Sequence, residues 1–130
     1  MRMALEACGI KKSERQVAKL LKASKNKGTW NKYFSIVAEK YKLNHATIRN
    51  ANISDLIEYY GKKYIIIVNY QYKEKTGHYA VLKKIDNKFI YFLDPFFGEH
   101  HKYPIAHFKK IWKSNPKGDN EKHWFFAVSK

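Results

Sequence analysis

Tyr64-Ile65-Ile66-Ile67-Val68-Asn69-Tyr70 decides how the rest of the chain can be arranged. The run is too short for a buried helix. It is also rich in β-branched side chains, which lose rotamer freedom in a helix and pack well on a pleated surface. Its apolar residues do not alternate with polar ones, and a strand of that kind is covered on both faces, so a central strand is expected. Residues 71–76 read as a charged loop after it. Gly77-His78-Tyr79-Ala80-Val81-Leu82-Lys83 and Phe89-Ile90-Tyr91-Phe92-Leu93-Asp94 read as two further strands, with Asp86-Asn87 marking the turn between them.

His78 opens one arm of that hairpin and Asp94 closes the other, which brings both to its open end. Side chains alternate faces along a strand, so the two share a face only if opposed residue numbers add to an even value. A three-residue loop, Asp86 to Lys88, or a bulge meets that condition; a strict two-residue turn does not. An imidazole held by a carboxylate is half of a nucleophilic site. The acid selects the tautomer and stabilises the imidazolium, and the other ring nitrogen takes a proton from Ser or Cys. The plain alternative is a strand-end His bonded to backbone, with an Asp-Pro turn in which Asp94 caps its own backbone.

The chain ahead of the central strand reads as helices. Residues 1–8 are mostly good helix formers, and Gly9 suits the left-handed position after a helix end. Nothing in front resembles an N-cap, so the first turn is expected upstream of Met1 or to have been lost. Ser13-Glu14-Arg15-Gln16 is a capping box before a second helix with Val17, Leu20 and Leu21 on its apolar stripe. A basic loop at residues 25–28 leads to Thr29, the expected cap of a third helix. Trp30, Tyr33, Phe34, Val37, Ala38 and Tyr41 lie on one face of that helix. Residues 43–49 read as an edge strand and 54–60 as a short helix ended by Gly61. Pro104 is expected in the first turn of a helix burying Ile105, Phe108, Ile111 and Trp112. Residues 114–121 read as a polar loop and 123–128 as a closing strand. Helices first and an antiparallel sheet afterwards make an α+β layout.

A chain of 130 residues suits a single domain, and one of that size buries about two thirds of its surface on folding. Ten Tyr, eight Phe and three Trp supply a core despite a negative mean hydropathy. No apolar run reaches the roughly 18 to 20 residues of a membrane span, and no signal-peptide pattern opens the chain. A cytoplasmic setting follows if the chain is complete as given. The single cysteine excludes an internal disulfide and argues against a cysteine-based zinc site. The net charge of +15 rests on 26 basic residues, of which only Arg2, Arg15 and Arg49 are Arg. Lys lacks the bidentate fork used to read bases, and these Lys are spread over every segment. That favours a solvated surface over a nucleic-acid stripe.

Glu99, His100, His101, His107 and His123 form a metal set only on paper, since adjacent His100 and His101 point opposite ways on any strand and no helical His pair is spaced by four. No metal and no cofactor is expected. Cys8 is the obvious thiol, but a reactive thiolate prefers a helix N-terminus, and Cys8 falls at a predicted C-terminus beside Gly9. A buried, inert thiol is the reading.

With these residues in order, the chain resembles the papain-like peptidases of family 39 of the cysteine peptidases, the bacteriocin-processing or double-glycine leader peptidases. In that family a Cys-Gly-Pro-Ala type segment opens a first helix that ends in a Gly like Gly9. A Ser-initiated helix similar to the one at Ser13 follows, then a Gly-Thr like Gly28-Thr29 leading into another helix. A buried strand like the one at Tyr64 precedes a His-Tyr-x-Val strand, matched by His78-Tyr79-Ala80-Val81, and an Asp-Pro, matched by Asp94-Pro95. The resemblance runs over nearly the whole chain. Each motif is loose, and their order and spacing carry the match.

The resemblance implies a papain-like cysteine proteinase fold and thiol-dependent hydrolysis of a peptide or protein substrate, with His78 as general base and Asp94 as its orienting acid. Aligning Gly9 with the family glycine puts the nucleophilic Cys several residues before Met1 and the oxyanion-hole Gln further upstream. Cys8 therefore does not carry over as nucleophile, and the chain as given is expected to be inactive. Two accounts of this departure stand: a misplaced start or truncated chain, and a degenerate member that keeps the fold to bind peptides. A basic nucleic-acid-binding module is the remaining alternative.

Overall fold

The β-branched run forms the middle of the sheet. The computed structural model describes residues 1–21, 31–71, 77–94, 98–114 and 121–130, with the backbone alone for Arg2, Glu14, Asp94 and residues 98–100. Its elements in chain order are α1 (Arg2–Ala7), α2 (Glu14–Leu20), α3 (Tyr33–Lys40), β1 (Asn44–Ile48), α4 (Ile53–Gly61), β2 (Ile65–Gln71), β3 (Gly77–Ile85), β4 (Phe89–Asp94), β5 (Gly98–Pro104), α5 (Ile105–Ile111) and β6 (Phe125–Ser129). The strands make one antiparallel sheet of order β1-β6-β2-β3-β4-β5.

β2 is buried along its length because each face of the sheet has its own cover. Ile67 points to one face, with Val81, Phe126 and Val128, under Ala4, Leu5, Val17, Phe34 and Val37 of the first three helices. Ile66, Val68 and Tyr70 point to the other, with Phe92 and Phe125, under Leu56 of α4 and Phe108 and Trp112 of α5. Two buried faces explain why this strand carries no polar alternation. Its one polar interior residue, Asn69, is satisfied on its amide side by Asn31, at 3.1 Å. β1 lies at the sheet edge, as the mixed sequence of residues 43–49 implies.

Local signals hold at several helix ends. Gly9 takes φ +84° after α1, and the Ile10 N–H reaches back to the Leu5 carbonyl at 2.9 Å, the left-handed close of a helix. Ser13 Oγ accepts from the Gln16 N–H at 3.1 Å while Gln16 Oε1 accepts from the Ser13 N–H at 2.9 Å, completing the box. A second box opens α4, where Asn52 and Asp55 exchange the same pair of bonds.

Other boundaries differ from expectation. α3 starts at Tyr33 after Lys32, whose side chain does not cap the helix; Thr29 and Trp30, like the loop at 25–28, lie outside the described residues. Gly61 is the last residue of α4 instead of the residue after it, and the left-handed φ, +66°, falls at Lys63. Pro104 is the N-cap of α5 rather than a first-turn residue, its ψ of 141° being extended. The closing strand begins at Phe125, because His123 has φ +49°, which no strand residue adopts. β5 had no counterpart in the sequence reading. Residues 72–76 and 115–120, most of the two expected loops, lie outside the described residues.

Candidate active site

The hairpin geometry decides whether positions 78 and 94 face the same way. The Asp86 N–H bonds to the Phe89 carbonyl at 3.0 Å, leaving Asn87 and Lys88 as a two-residue tip, so of the alternatives left open the three-residue loop is not the one formed. Asp86 Oδ1 builds this turn by accepting from the N–H groups of Lys88 at 2.8 Å and Phe89 at 2.7 Å. Those bonds hold its carboxyl below the ordinary range, Phe89 first and Lys88 second. Ile85 then opposes Ile90 and Lys84 opposes Tyr91, an odd register. A bulge between Leu82 and Lys84 adds one residue, so Leu82 opposes Phe92 and Val81 opposes Leu93. The register after the bulge is even. The last pair of that ladder is Val81 with Leu93, and Ala80 and His78 lie beyond it on β3. The Asp94 side chain itself lies outside the described residues.

His78 pairs with Tyr70 across β2 and β3, and the two rings meet edge to face, 5.4 Å apart at 75°. Tyr70 is wholly buried. His78 is half-buried and follows the exposed Gly77. Tyr70 entered the sequence reading only as the end of the central strand. Its place opposite His78 follows from a register across residues 71–76 that the sequence does not set.

The next residue, Tyr79, faces the opposite way. Its hydroxyl donates to Asn31 Oδ1 at 2.6 Å, the same oxygen that accepts from Asn69. The Asn31 amide donates in turn to Glu121 Oε1 at 3.2 Å, and Glu121 is ion-paired to Arg49. This polar group ties α3, β2 and β3 together under the first three helices.

Cys8 also lies on that side. It is the C-cap of α1 and is buried among Ala4, Leu5 and Val81. Burial pushes its thiol pKa up, partly opposed by Lys130. The thiol and the His78 imidazole thus belong to opposite faces of the sheet. A groove of about 760 Å³ lies between α1, the end of α4 and the start of β2, lined by Met3, Ile65, Val81 and Leu93 of the Cys8 side together with Tyr64 and Leu82 of the other.

The remaining histidines are dispersed. His101 opposes Phe92 on β5, His107 packs on Tyr103, and His123 stacks on Trp112 at 4.5 Å with Nδ1 2.8 Å from the Ala51 carbonyl. Among the described residues no three His, Cys, Asp or Glu side chains converge as a metal site would need; the side chains of Glu99 and His100 lie outside them.

Comparison with known proteins completes the picture. No curated protein matches this chain. The crystal structure of the peptidase domain of Streptococcus ComA, described as a bi-functional ABC transporter involved in a quorum sensing pathway, superposes with a TM-score of 0.75. That match has 18% identity and covers 98% of this chain and 85% of that one. It shows the fold, an α+β papain-like peptidase domain. The family model described as Peptidase_C39 like family matches residues 1–119, and this chain belongs to that family.

Proposed function

We propose that this chain is a thiol-peptidase domain in which His78 serves as the general base and Asp94 as the acid that orients it, with Cys8 taking no part. In the reaction a thiolate attacks the carbonyl carbon of a peptide bond. The imidazole takes the thiol proton and returns it to the leaving amine, and the carboxylate stabilises the imidazolium formed between. The substrate is a peptide or protein. Residues 1–130 do not turn it over by themselves, because their one thiol is not placed to serve His78.

The observation that carries this reading is the split between the faces. Cys8 packs under the first three helices, whereas His78 lies against Tyr70 on the α4 and α5 side. Desolvation also raises the thiol pKa, partly opposed by Lys130, which disfavours its nucleophilic form. The same observation favours a second reading, a module that binds an extended peptide without cleaving it.

The test is a cleavage assay on the purified chain with peptides of varied sequence, beside its Cys8→Ala and His78→Ala variants. No turnover by any of the three is expected. Cleavage that survives Cys8→Ala and is lost in His78→Ala overturns the claim that residues 1–130 are inactive. Cleavage lost in Cys8→Ala overturns the exclusion of Cys8. Saturable binding of an extended peptide without cleavage supports the second reading.

A further inference from the structure

We propose that His123 is a proton-operated latch: with both ring nitrogens protonated it bonds at once to the loop ahead of α4 and to the end of α5, and on losing one proton it lets go of α5. This is independent of the roles assigned to His78 and Asp94.

Both nitrogens of this imidazole face a carbonyl oxygen. Nδ1 lies 2.8 Å from the oxygen of Ala51, and Nε2 lies 3.3 Å from that of Lys109. A carbonyl can only accept, and a neutral imidazole carries one N–H. The neutral ring therefore satisfies one of the two carbonyls and turns a lone pair toward the other, whereas the imidazolium donates to both. Nδ1, at the shorter distance, is the nitrogen that keeps its proton. Nε2 is the one that gives it up.

The two carbonyls belong to separate elements. Lys109 is in the last turn of α5, where carbonyls lack intrahelical partners, and the Lys113 N–H that would serve it in a longer helix turns to Ile111 at 2.8 Å. Ala51 precedes Asn52, the N-cap of α4, and its N–H bonds to the His123 carbonyl at 3.1 Å. The His123 N–H bonds to the Trp112 carbonyl at 3.0 Å, and the imidazole lies flat on the Trp112 ring, 4.5 Å away at 8°. An indole face attracts a cation. The φ of +49° at His123 brings these bonds together, a backbone state that a non-glycine residue holds only when its surroundings fix it.

Most charge on the elements packed against the ring is positive and opposes the second proton. α5 carries Lys109, Lys110 and His107, the last packed on Tyr103; Lys113 follows the helix, and Lys122 precedes His123. The acids nearby are already engaged, Glu121 with Arg49 and Asn31 and Asp55 with the Asn52 N–H. Among the described residues no carboxylate is ion-paired to His123, so the two carbonyls and the indole are what hold its second proton.

The experiment follows the His123 ring nitrogens and the carbonyl carbons of Lys109 and Ala51 by NMR of the labelled chain, from about pH 5.5 to about pH 8.5, across the usual imidazole range. The Lys109 carbonyl is expected to shift in step with the His123 titration, the Ala51 carbonyl to keep its hydrogen-bonded position, and the neutral ring to carry its proton on Nδ1. A Lys109 carbonyl that stays constant while His123 titrates overturns the proposal. So does a neutral ring protonated on Nε2, or a ring that stays in one protonation state throughout.

Stability gives the second readout. Folding adds a bond that only the protonated ring makes, so the latch stabilises most at low pH and its contribution is lost as the pH rises through the titration of the ring. His123→Asn keeps an amide donor and a side chain that tolerates the left-handed backbone, but it does not titrate. The unfolding constant of that variant relative to the parent is expected to be about fivefold larger at about pH 5.5 than at about pH 8.5. A ratio independent of pH, or larger at high pH, overturns the proposal. Should His123→Asn not fold, the carbonyl shifts of the parent decide.

Discussion

The two faces of the sheet are made of different material. Under the first three helices lie aliphatic residues, a set of aromatics, the thiol of Cys8 and a polar group running inward from the exposed Arg49 through Glu121 and Asn31 to Asn69 and Tyr79. Under α4 and α5 lies a stack of rings, Tyr70, Phe92, Phe108 and Trp112, with His78 at its margin. The polar side fixes how α3, β2 and β3 meet. The ring side carries the half-buried His78, set edge to face against Tyr70. The Cys8 thiol and the His78 imidazole therefore stand on opposite faces of one sheet.

The largest effects test whether both faces are one core. Leu5→Ala on the helix face and Leu56→Ala on the other each remove a fully buried side chain, and each should cost about 2–5 kcal/mol in urea denaturation. A cost below about 1 kcal/mol for either would show that its face is not consolidated with the sheet. Next comes the polar side alone. Asn31→Ala strips partners from Tyr79, Asn69 and Glu121 at once and should cost about 2–3 kcal/mol, with a lower midpoint of unfolding and an unchanged His78 ring spectrum. A moved His78 spectrum would show that the two faces are coupled through β3.

Smaller effects probe the margins. Ser13→Ala removes the α2 capping box and should cost about 1 kcal/mol, read in the same denaturation series. Asp86 lies at the hairpin tip, where backbone N–H groups depress its pKa in the folded state. Its stabilising contribution is therefore present above the ordinary carboxylate range and lost as the pH falls through its folded pKa. Asp86→Asn should lower the urea midpoint at about pH 7, and the gap to the parent should narrow toward about pH 2.5. A gap that stays constant with pH would assign the effect to shape rather than charge.

Much of the fold was legible because the signals were local. The β-branched run needed no partner to be read as a two-faced strand, and Ser13 with Gln16 needed only each other. α4 was placed but its box was not, since Asp55 takes the role usually filled by Glu or Gln. β5 escaped because Gly98-Glu99-His100-His101 has no strand propensity of its own and depends on pairing with β4. At the candidate site, the arms and ends of the hairpin were readable, but the face was not. A two-residue tip alone gives an odd register, and the bulge beside Lys83 makes it even from Leu82 and Phe92 onward. Nothing in Lys83-Lys84 announces a bulge.

By itself the amino-acid sequence determined which segment lies at the centre, where helices begin and end at Ser13 and Gly9, and that the one thiol sits at the wrong end of a short helix. These follow from periodicity and from bonds between residues a few positions apart. Only the tertiary structure decided that β6, the last strand, enters between β1 and β2, that one extra residue at the bulge makes the register of β3 with β4 even, and that Tyr70 lies opposite His78. Strand order and register are settled by packing across the whole sheet, where contacts between distant residues outweigh what any one segment prefers.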